Sequence, residues 1–370
     1  LKLAGPSLKQ AKVLTAGRLV FYAVALCALT AAVMAACSLV GPMGILRPAT
    51  DFHEAPWHHA GPMSVGQWAQ GAWDWLGSLF DWWVVGYRLS RMAAAAAVGA
   101  ALAVAGMALQ GTLRNPLADP YVLGISSGAS IGVLVGMAIV RRMAAPEWLS
   151  TPLLAFVGAM ATCAIVYGIA QRRGRLDPYL LLLSGVIVNV FNGALIMAIL
   201  AMGDRNGIID FVQWSMGNVS DDVKPRLLVF CSVAVVAGWA VLLSRGAAFN
   251  ALGLGEEVAA SSGVPVHWLR VETFIIVSLM TASAVAIAGP VAFIGLIIPH
   301  ICRLIVGPDH RRLAIFCGFG GAIFLMLADT LCRFILQTFD RTIQVGIITA
   351  FCGGPFFIYL LRRRSKGGAQ

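Results

Sequence analysis

The chain has 370 residues, 59% of them hydrophobic and only 12% Asp, Glu, Lys or Arg, with a net charge of +10 and a mean hydropathy of +0.82. Soluble domains carry roughly 25% charged residues, and no single soluble domain of this size can bury so apolar a chain. A soluble globular fold is therefore excluded and a membrane protein expected, while the lack of a basic stripe with interleaved aromatics argues against nucleic-acid binding.

Apolar runs long enough to cross about 30 Å of hydrocarbon recur at 19–40, 83–109, 120–140, 151–170, 178–201, 227–244, 269–288, 291–307, 313–336 and 343–361. They predict an all-α, polytopic membrane protein of about ten transmembrane helices, with one membrane domain over 19–361, an N-terminal segment 1–18 and a basic tail 362–370. With the N-terminus inside, 17 of the 27 Lys and Arg fall on the inner side, including Lys9, Arg114, Arg172, Arg173, Arg175 and the Arg362–Lys366 cluster. An even number of spans returns the chain to that side, so both termini are expected in the cytoplasm.

The first run is longer than the apolar core of a secretory signal and reads as a true span. The outer segment that follows, 41–82, carries Asp51, Glu54, Asp74 and Asp81 together with Trp57, Trp68, Trp73, Trp75 and Trp82, a composition suited to an interfacial lid. His53, His58 and His59 lie in it, but no helix or strand spacing fixes their geometry. A plain polar loop, a transient ligand contact and a metal site all remain open there, and no metal is assigned.

Between the second and third runs stands "LRNPLADPYVLGISSGAS" (113–130). Pro116 and Pro120 lack the backbone donor and bias their predecessors away from the helix, so one helix should end near Gly111 and another begin near Pro120. Farther on, Asn189 and Asn192 share a helix face and can act either as polar helix glue or as lining of a polar path. Segment 251–268, with Glu256 and Glu257, is expected to place a short amphipathic helix on the inner surface. Asp329 and Arg333 stand four apart, where they can pair on one face, as structural or path-lining residues. The runs "AVAGMALQG" (103–111) and "AIAGPVAFIG" (286–295) are alike, which fits either chance or an inverted repeat of spans 2–5 against 7–10.

No catalytic machinery is legible. The chain lacks the phosphate-loop pattern and HExxH, and the G-x-S-x-G around Ser126 has no soluble sheet to present it. The eight Cys sit mostly in apolar runs with no CxxC and read as small hydrophobes. No span carries a proton relay beyond Asp329 and Glu272, so transport would draw its energy from a separate subunit.

The segments "YRLSRMAAAAAVGAALAVAGMALQGTLRNPLADPYVLGISSGAS" (87–130), "FVQWSMGNVS" (211–220), "LGLGEEVAASSGV" (252–264), "GPVAFIGLIIPHICRLIVGPDHRRL" (289–313) and "LADTLCR" through "GGPFFIYLLRR" (327–363) resemble the permease subunits of type II ABC importers. These import iron–siderophores, haem and cobalamin. The resemblance implies ten helices per subunit, a homodimer with the path at its two-fold axis, two ATPase subunits beneath, and a periplasmic binding protein above, in a bacterial inner membrane. It places Asn115 and Leu117 at a cytoplasmic gate. It places Leu252, Gly253, Glu256, Glu257, Ala260 and Gly263 at the ATPase-coupling element. Arg88 and Arg91 take the place of a binding-protein docking pair, here with Ser90 where the family has Pro. The protein itself is then no enzyme and holds no permanent cofactor; ATP is used by its partner. Haem is the expected cargo, from the likeness to haem permeases and the His-bearing outer loop, with ferric siderophore, then cobalamin, as alternatives. A secondary transporter or a membrane scaffold without an ATPase is the reading from a different class.

Overall fold

The computed structural model describes residues 16–38, 40–41, 44–45, 82–142, 151–219, 225–339 and 343–367. The expectations for 1–15, and for the lid at 46–81 with His53, His58 and His59, lie outside the described residues. Among the described residues are thirteen α-helices: α1 (Ala16–Ser38), α2 (Trp82–Leu113), α3 (Ile125–Arg142), α4 (Thr151–Ala170), α5 (Pro178–Ala201), α6 (Arg205–Ser215), α7 (Pro225–Ser244), α8 (Gly246–Leu254), α9 (Glu256–Ser261), α10 (Val266–Ala288), α11 (Ile294–Val306), α12 (His310–Phe339) and α13 (Val345–Gly367). Two short hairpins, β1 (Val40–Gly41) with β2 (Gly44–Ile45) and β3 (Gln171–Arg172) with β4 (Arg175–Leu176), accompany them.

Seven helices (α1, α2, α4, α5, α7, α10 and α12) are long and apolar enough to span a membrane, and α3, α11 and α13 are shorter apolar helices. These ten elements match the ten apolar runs, and the protein is a multi-span, all-α membrane protein. Two boundaries differ from expectation. Helix α2 runs on to Leu113, and Pro120 opens a single 3-10 turn, Pro120–Leu123, ahead of α3. The turn is set by Asp119, whose carboxylate accepts from the Tyr121 amide at 2.8 Å, and it closes at Gly124 with φ 84°.

Helix α2 is the axle of the bundle, packed against α1, α7, α8, α10, α11 and α12. Its central sequence is almost all Ala and Gly, and Ala94, Ala95, Ala101, Ala103 and Ala105 are fully buried. A Cβ on Gly99 would come within 2.1 Å of the Gly321 carbonyl oxygen, and one on Gly106 within 2.0 Å of the Gly295 oxygen. Lipid tails are as apolar as Leu, so helices in a bilayer associate through close van der Waals contact and polar bonds rather than hydrophobic burial. Small residues bring these backbones together. The two look-alike runs meet here, and the Gln110 amide nitrogen donates to the Gly295 carbonyl at 2.9 Å. Helices α3 and α4 repeat the device, with a Cβ on Gly132 falling 2.0 Å from the Leu154 oxygen.

The chain breaks between α10 and α11, where Gly289 (φ 65°) and Phe293 (φ 72°) leave helical geometry. Backbone groups freed inside a membrane need partners, and they have them. The Val291 amide donates to the Tyr121 hydroxyl at 3.0 Å, and the Asn218 amide donates to the Ala288 carbonyl at 2.8 Å.

The glycine contacts yield a prediction. Gly106→Val forces two methyl groups against the backbone of α11 and is expected to cost about 1–3 kcal/mol or more. Gly168→Val, at an exposed glycine with no atom within 4 Å of its added Cβ, should leave stability near wild type. Thermal unfolding of the detergent-solubilised variants measures the difference.

Candidate functional site: a gate loop, an exposed helical elbow and a buried charge cluster

One end of the bundle brings together the end of α2, the β3–β4 hairpin, α8, α9 and the α11–α12 turn. The Leu176 amide approaches His267 Nδ1 at 3.4 Å, and the rings of Phe249 and His310 lie 5.8 Å apart. Arg114, Arg172, Arg173, Arg175, Arg245 and Arg311 are all exposed at this end.

Here the "RNPLADP" segment forms a stiff turn. Arg114 takes φ 51°, ending α2. The Asn115 amide donates to the Gln110 carbonyl at 3.2 Å, and the Asn115 side-chain oxygen accepts from the Leu117 amide at 2.9 Å. Asn115 therefore spends its side-chain oxygen on shaping the turn. Leu117, by contrast, is 45% exposed while its neighbour Ala118 is buried at 1%. Two prolines and an Asx turn thus hold one leucine outward. Asp119 is buried, and burial pushes its carboxyl up to about 6 from an ordinary 3.8, partly offset by the bond from Tyr121.

The expected surface helix at 251–268 is an elbow of two short helices. Helix α8 ends at Gly255 (φ 135°), α9 follows at once, and Gly263 (φ 83°) turns the chain into α10. Leu254 and Val258 are exposed, whereas Leu252 and Ala259 are fully buried. Leu252 accordingly anchors the elbow from inside. Gly253, Glu257, Ala260 and Gly263 face outward. Glu256 is engaged in an ion pair with Arg270 of α10, so it braces the elbow as well. Glu272, considered earlier as a relay group, pairs instead with Arg245 at 3.0 Å.

At the other end of α2 the expected docking pair separates. Arg88 is half-buried and donates to the Ser38 carbonyl at 3.4 Å. Arg91 turns inward: its Nε and terminal nitrogen grip Asp329 at 3.0 and 2.8 Å, with the carboxylate completely buried. Arg91 thus partners Asp329, as a buried carboxylate demands a paired cation. The expected Asp329–Arg333 pair is present at 3.3 Å, and Arg333 also reaches the Cys37 carbonyl at 3.4 Å. The cluster ties α1, α2 and α12 together. Nothing in the spacing of Arg91 pointed to a residue 238 positions away.

Asn189 and Asn192 make hydrogen bonds between helices. The Ser127 hydroxyl donates to the Asn189 side-chain oxygen at 2.7 Å, and the Asn192 amide donates to the Ser127 oxygen at 3.0 Å. The Asn189 amide nitrogen also reaches the Tyr121 and Val122 carbonyls at 3.3 and 3.4 Å. Helix α5 is thus pinned to the 3-10 turn and α3. No group of three or more metal-binding side chains occurs among the described residues.

Two predictions follow from these geometries. Asp329→Ala leaves two cations without their buried carboxylate and is expected to cost about 3–5 kcal/mol, seen as a loss of monodisperse protein and a lower unfolding temperature. For Asp119 the folded pKa lies above the unfolded one. Between about pH 4 and 6 the folded chain keeps a proton that the unfolded chain has released, so stability falls as pH rises through that window. Asp119→Asn keeps the capping oxygen without titrating, and its unfolding temperature should drop less between pH 4 and 7 than that of wild type.

Comparison with known proteins accords with this architecture. Residues 60–363 match the FecCD transport family. The chain is 38% identical over 305 residues to the uncharacterized ABC transporter permease protein YvrB of Bacillus subtilis (strain 168), covering 81% of this chain and 85% of that one. It is 40% identical over 281 residues to the cobalamin import system permease protein BtuC of Halobacterium salinarum (75% and 72% covered). It is 36% identical over 282 residues to the hemin transport system permease protein HmuU of Yersinia pestis (75% and 83% covered). Among solved structures, an inward-facing metal-chelate type ABC transporter superposes with a TM-score of 0.70 at 25% identity, covering 93% of this chain and 99% of that one. The chain belongs to the FecCD transport family and has the helical permease fold of type II ABC importers.

Proposed function

We propose that the protein is the membrane-spanning subunit of an ATP-driven importer that passes a metal chelate from a periplasmic binding protein into the cytoplasm by alternating access. The observation that carries this reading is the grouping, at one arginine-rich end, of an exposed helical elbow and a stiff turn with an outward leucine. An excess of Arg marks the cytoplasmic side of a membrane protein, which supports reading the elbow, and with it both termini, as cytoplasmic. The elbow offers Leu254, Glu257 and Val258 to an ATPase subunit, one for each of two copies of the chain. The turn offers Leu117 to its symmetry mate across the path, and Arg88 and Arg91, at the other end of α2, are the candidates for docking the binding protein. ATP hydrolysis falls to the partner subunit.

Relatives are named for hemin, cobalamin, Fe(3+)-citrate and iron(3+)-hydroxamate import. Within that class we take haem as the cargo, on the strength of His53, His58 and His59 in the 41–82 segment. Vesicles holding the permease with its ATPase subunits and binding protein should accumulate haem only with ATP. A binding protein that takes up no haem, shown by the absence of a Soret band, would move the cargo to another chelate. Uptake independent of any ATPase would overturn the importer reading.

The gate carries its own prediction. Leu117→Ala removes an apolar side chain that is 45% exposed, so assembly should be nearly unchanged and nucleotide-free solute leakage should rise several-fold. Flux from vesicles containing the purified variant measures it; a tight, well-assembled variant would remove Leu117 from the gate.

A further inference from the structure

The α11–α12 turn contains a cluster that the gate and the elbow leave unexplained. Asn250, on α8, donates from its amide nitrogen to the Asp309 carboxylate at 2.8 Å. Its side-chain oxygen accepts from the His310 backbone amide at 2.8 Å and lies 2.9 Å from His310 Nδ1. Asp309 also caps α12, accepting from the Arg311 amide at 3.0 Å. Because a carboxylate can only accept and a backbone N–H can only donate, the orientation of the Asn250 amide is fixed from both sides. His310 Nδ1 therefore carries the proton. The other ring nitrogen faces α2, where a Cβ on Gly111 would stand 2.9 Å from it. The same ring packs on Phe249 of α8. Behind it, a Cβ on Gly246 would meet the Arg311 side chain at 2.8 Å, so α8 lies directly on the start of α12.

One imidazole, carried by the first residue of α12, thus touches two other elements: the inner half of the elbow and the last turn of α2. That last turn leads within six residues to Leu117. We propose that His310, held by Asn250 and Asp309, is the positioning residue that carries displacement of the α8–α9 elbow to the gate turn. A push on α8 is borne by the ring against Gly111, where the absence of a side chain permits the contact, and moves the end of α2 as a unit. Apolar packing alone would let α8 slide; three hydrogen bonds with their acceptors and donors fixed do not.

The inference rests on the importer reading, and the test separates the two. The permease–ATPase complex carries Leu117→Cys in a background where the two exposed cysteines, Cys27 and Cys352, are replaced by Ser. Maleimide labelling at position 117 is followed with and without ATP. A parent complex whose labelling ignores nucleotide overturns the importer reading itself. Given a responsive parent, His310→Ala should retain ATP hydrolysis, whose machinery is on the partner, while the nucleotide-driven change in labelling rate falls by about tenfold, within the usual range of site-to-site coupling. His310→Asn keeps a donor toward Asn250 but lacks the ring against Gly111; it should assemble even where the alanine variant does not, and show the same loss. Parental nucleotide dependence in either assembled variant overturns the proposal. Failure of both to assemble also overturns it, leaving His310 a folding residue only.

Discussion

The structure depends on how closely α2 allows its neighbours to approach. In hydrocarbon there is no water to expel, so cohesion must come from atoms in contact and from bonds between polar groups. An Ala- and Gly-rich helix satisfies the first need, because Gly99 and Gly106 let backbone oxygens of α12 and α11 come as near as a side chain would otherwise stand. Six helices can then share one axle. Larger residues along α2 would push each neighbour outward and remove the contacts that hold the bundle together.

Close packing leaves the polar groups with few choices, and several of them close breaks or join helices. Gln110 holds Gly295, Tyr121 satisfies the amide of Val291 after Pro290, and Asn189 and Asn192 bind Ser127 and the 3-10 turn. The Arg91–Asp329–Arg333 cluster does the same with charge at the opposite end of α2. Such groups cost free energy if unpaired in a low-dielectric interior, so they specify which helices meet. They bind irregular backbone to regular helices, and the chain can leave helical geometry at Gly289–Phe293 without exposing it.

At the arginine-rich end the same economy leaves a few apolar side chains facing outward on stiff supports. Helix α2 stops at Arg114, the Asn115 side chain shapes the turn, and Leu117 is left projecting. Opposite it, the α8–α9 elbow is braced from within by Leu252, Ala259 and the Glu256–Arg270 pair while keeping Leu254 and Val258 outward. Stiff interiors with a few exposed apolar residues are what a part needs if it is to be moved by another protein and to seal against its own copy.

Much of this was legible in the chain itself. Hydrophobic runs marked ten apolar helices among the described residues, seven of them of membrane length, since the bilayer demands such runs whatever the packing. The prolines at 116 and 120 marked the turn, because a missing amide donor acts locally. Asp329 and Arg333 could be paired from their spacing, as helix geometry sets which side chains are neighbours. What only the tertiary structure decided lies across elements. Arg88 and Arg91 share a helix face in sequence, yet Arg91 turns to a carboxylate on α12 while Arg88 reaches the end of α1. Leu252 became an internal support and Glu256 an exposed ion-pair partner of Arg270 once Gly255 split the expected short helix in two. Asn250, Asp309 and His310 gave no joint signal, for their hydrogen bonds span some 60 positions. Local chemistry writes helices and turns into the sequence; which buried polar group meets which is set by the packing of small residues far apart along the chain, and only the folded bundle brings them within reach.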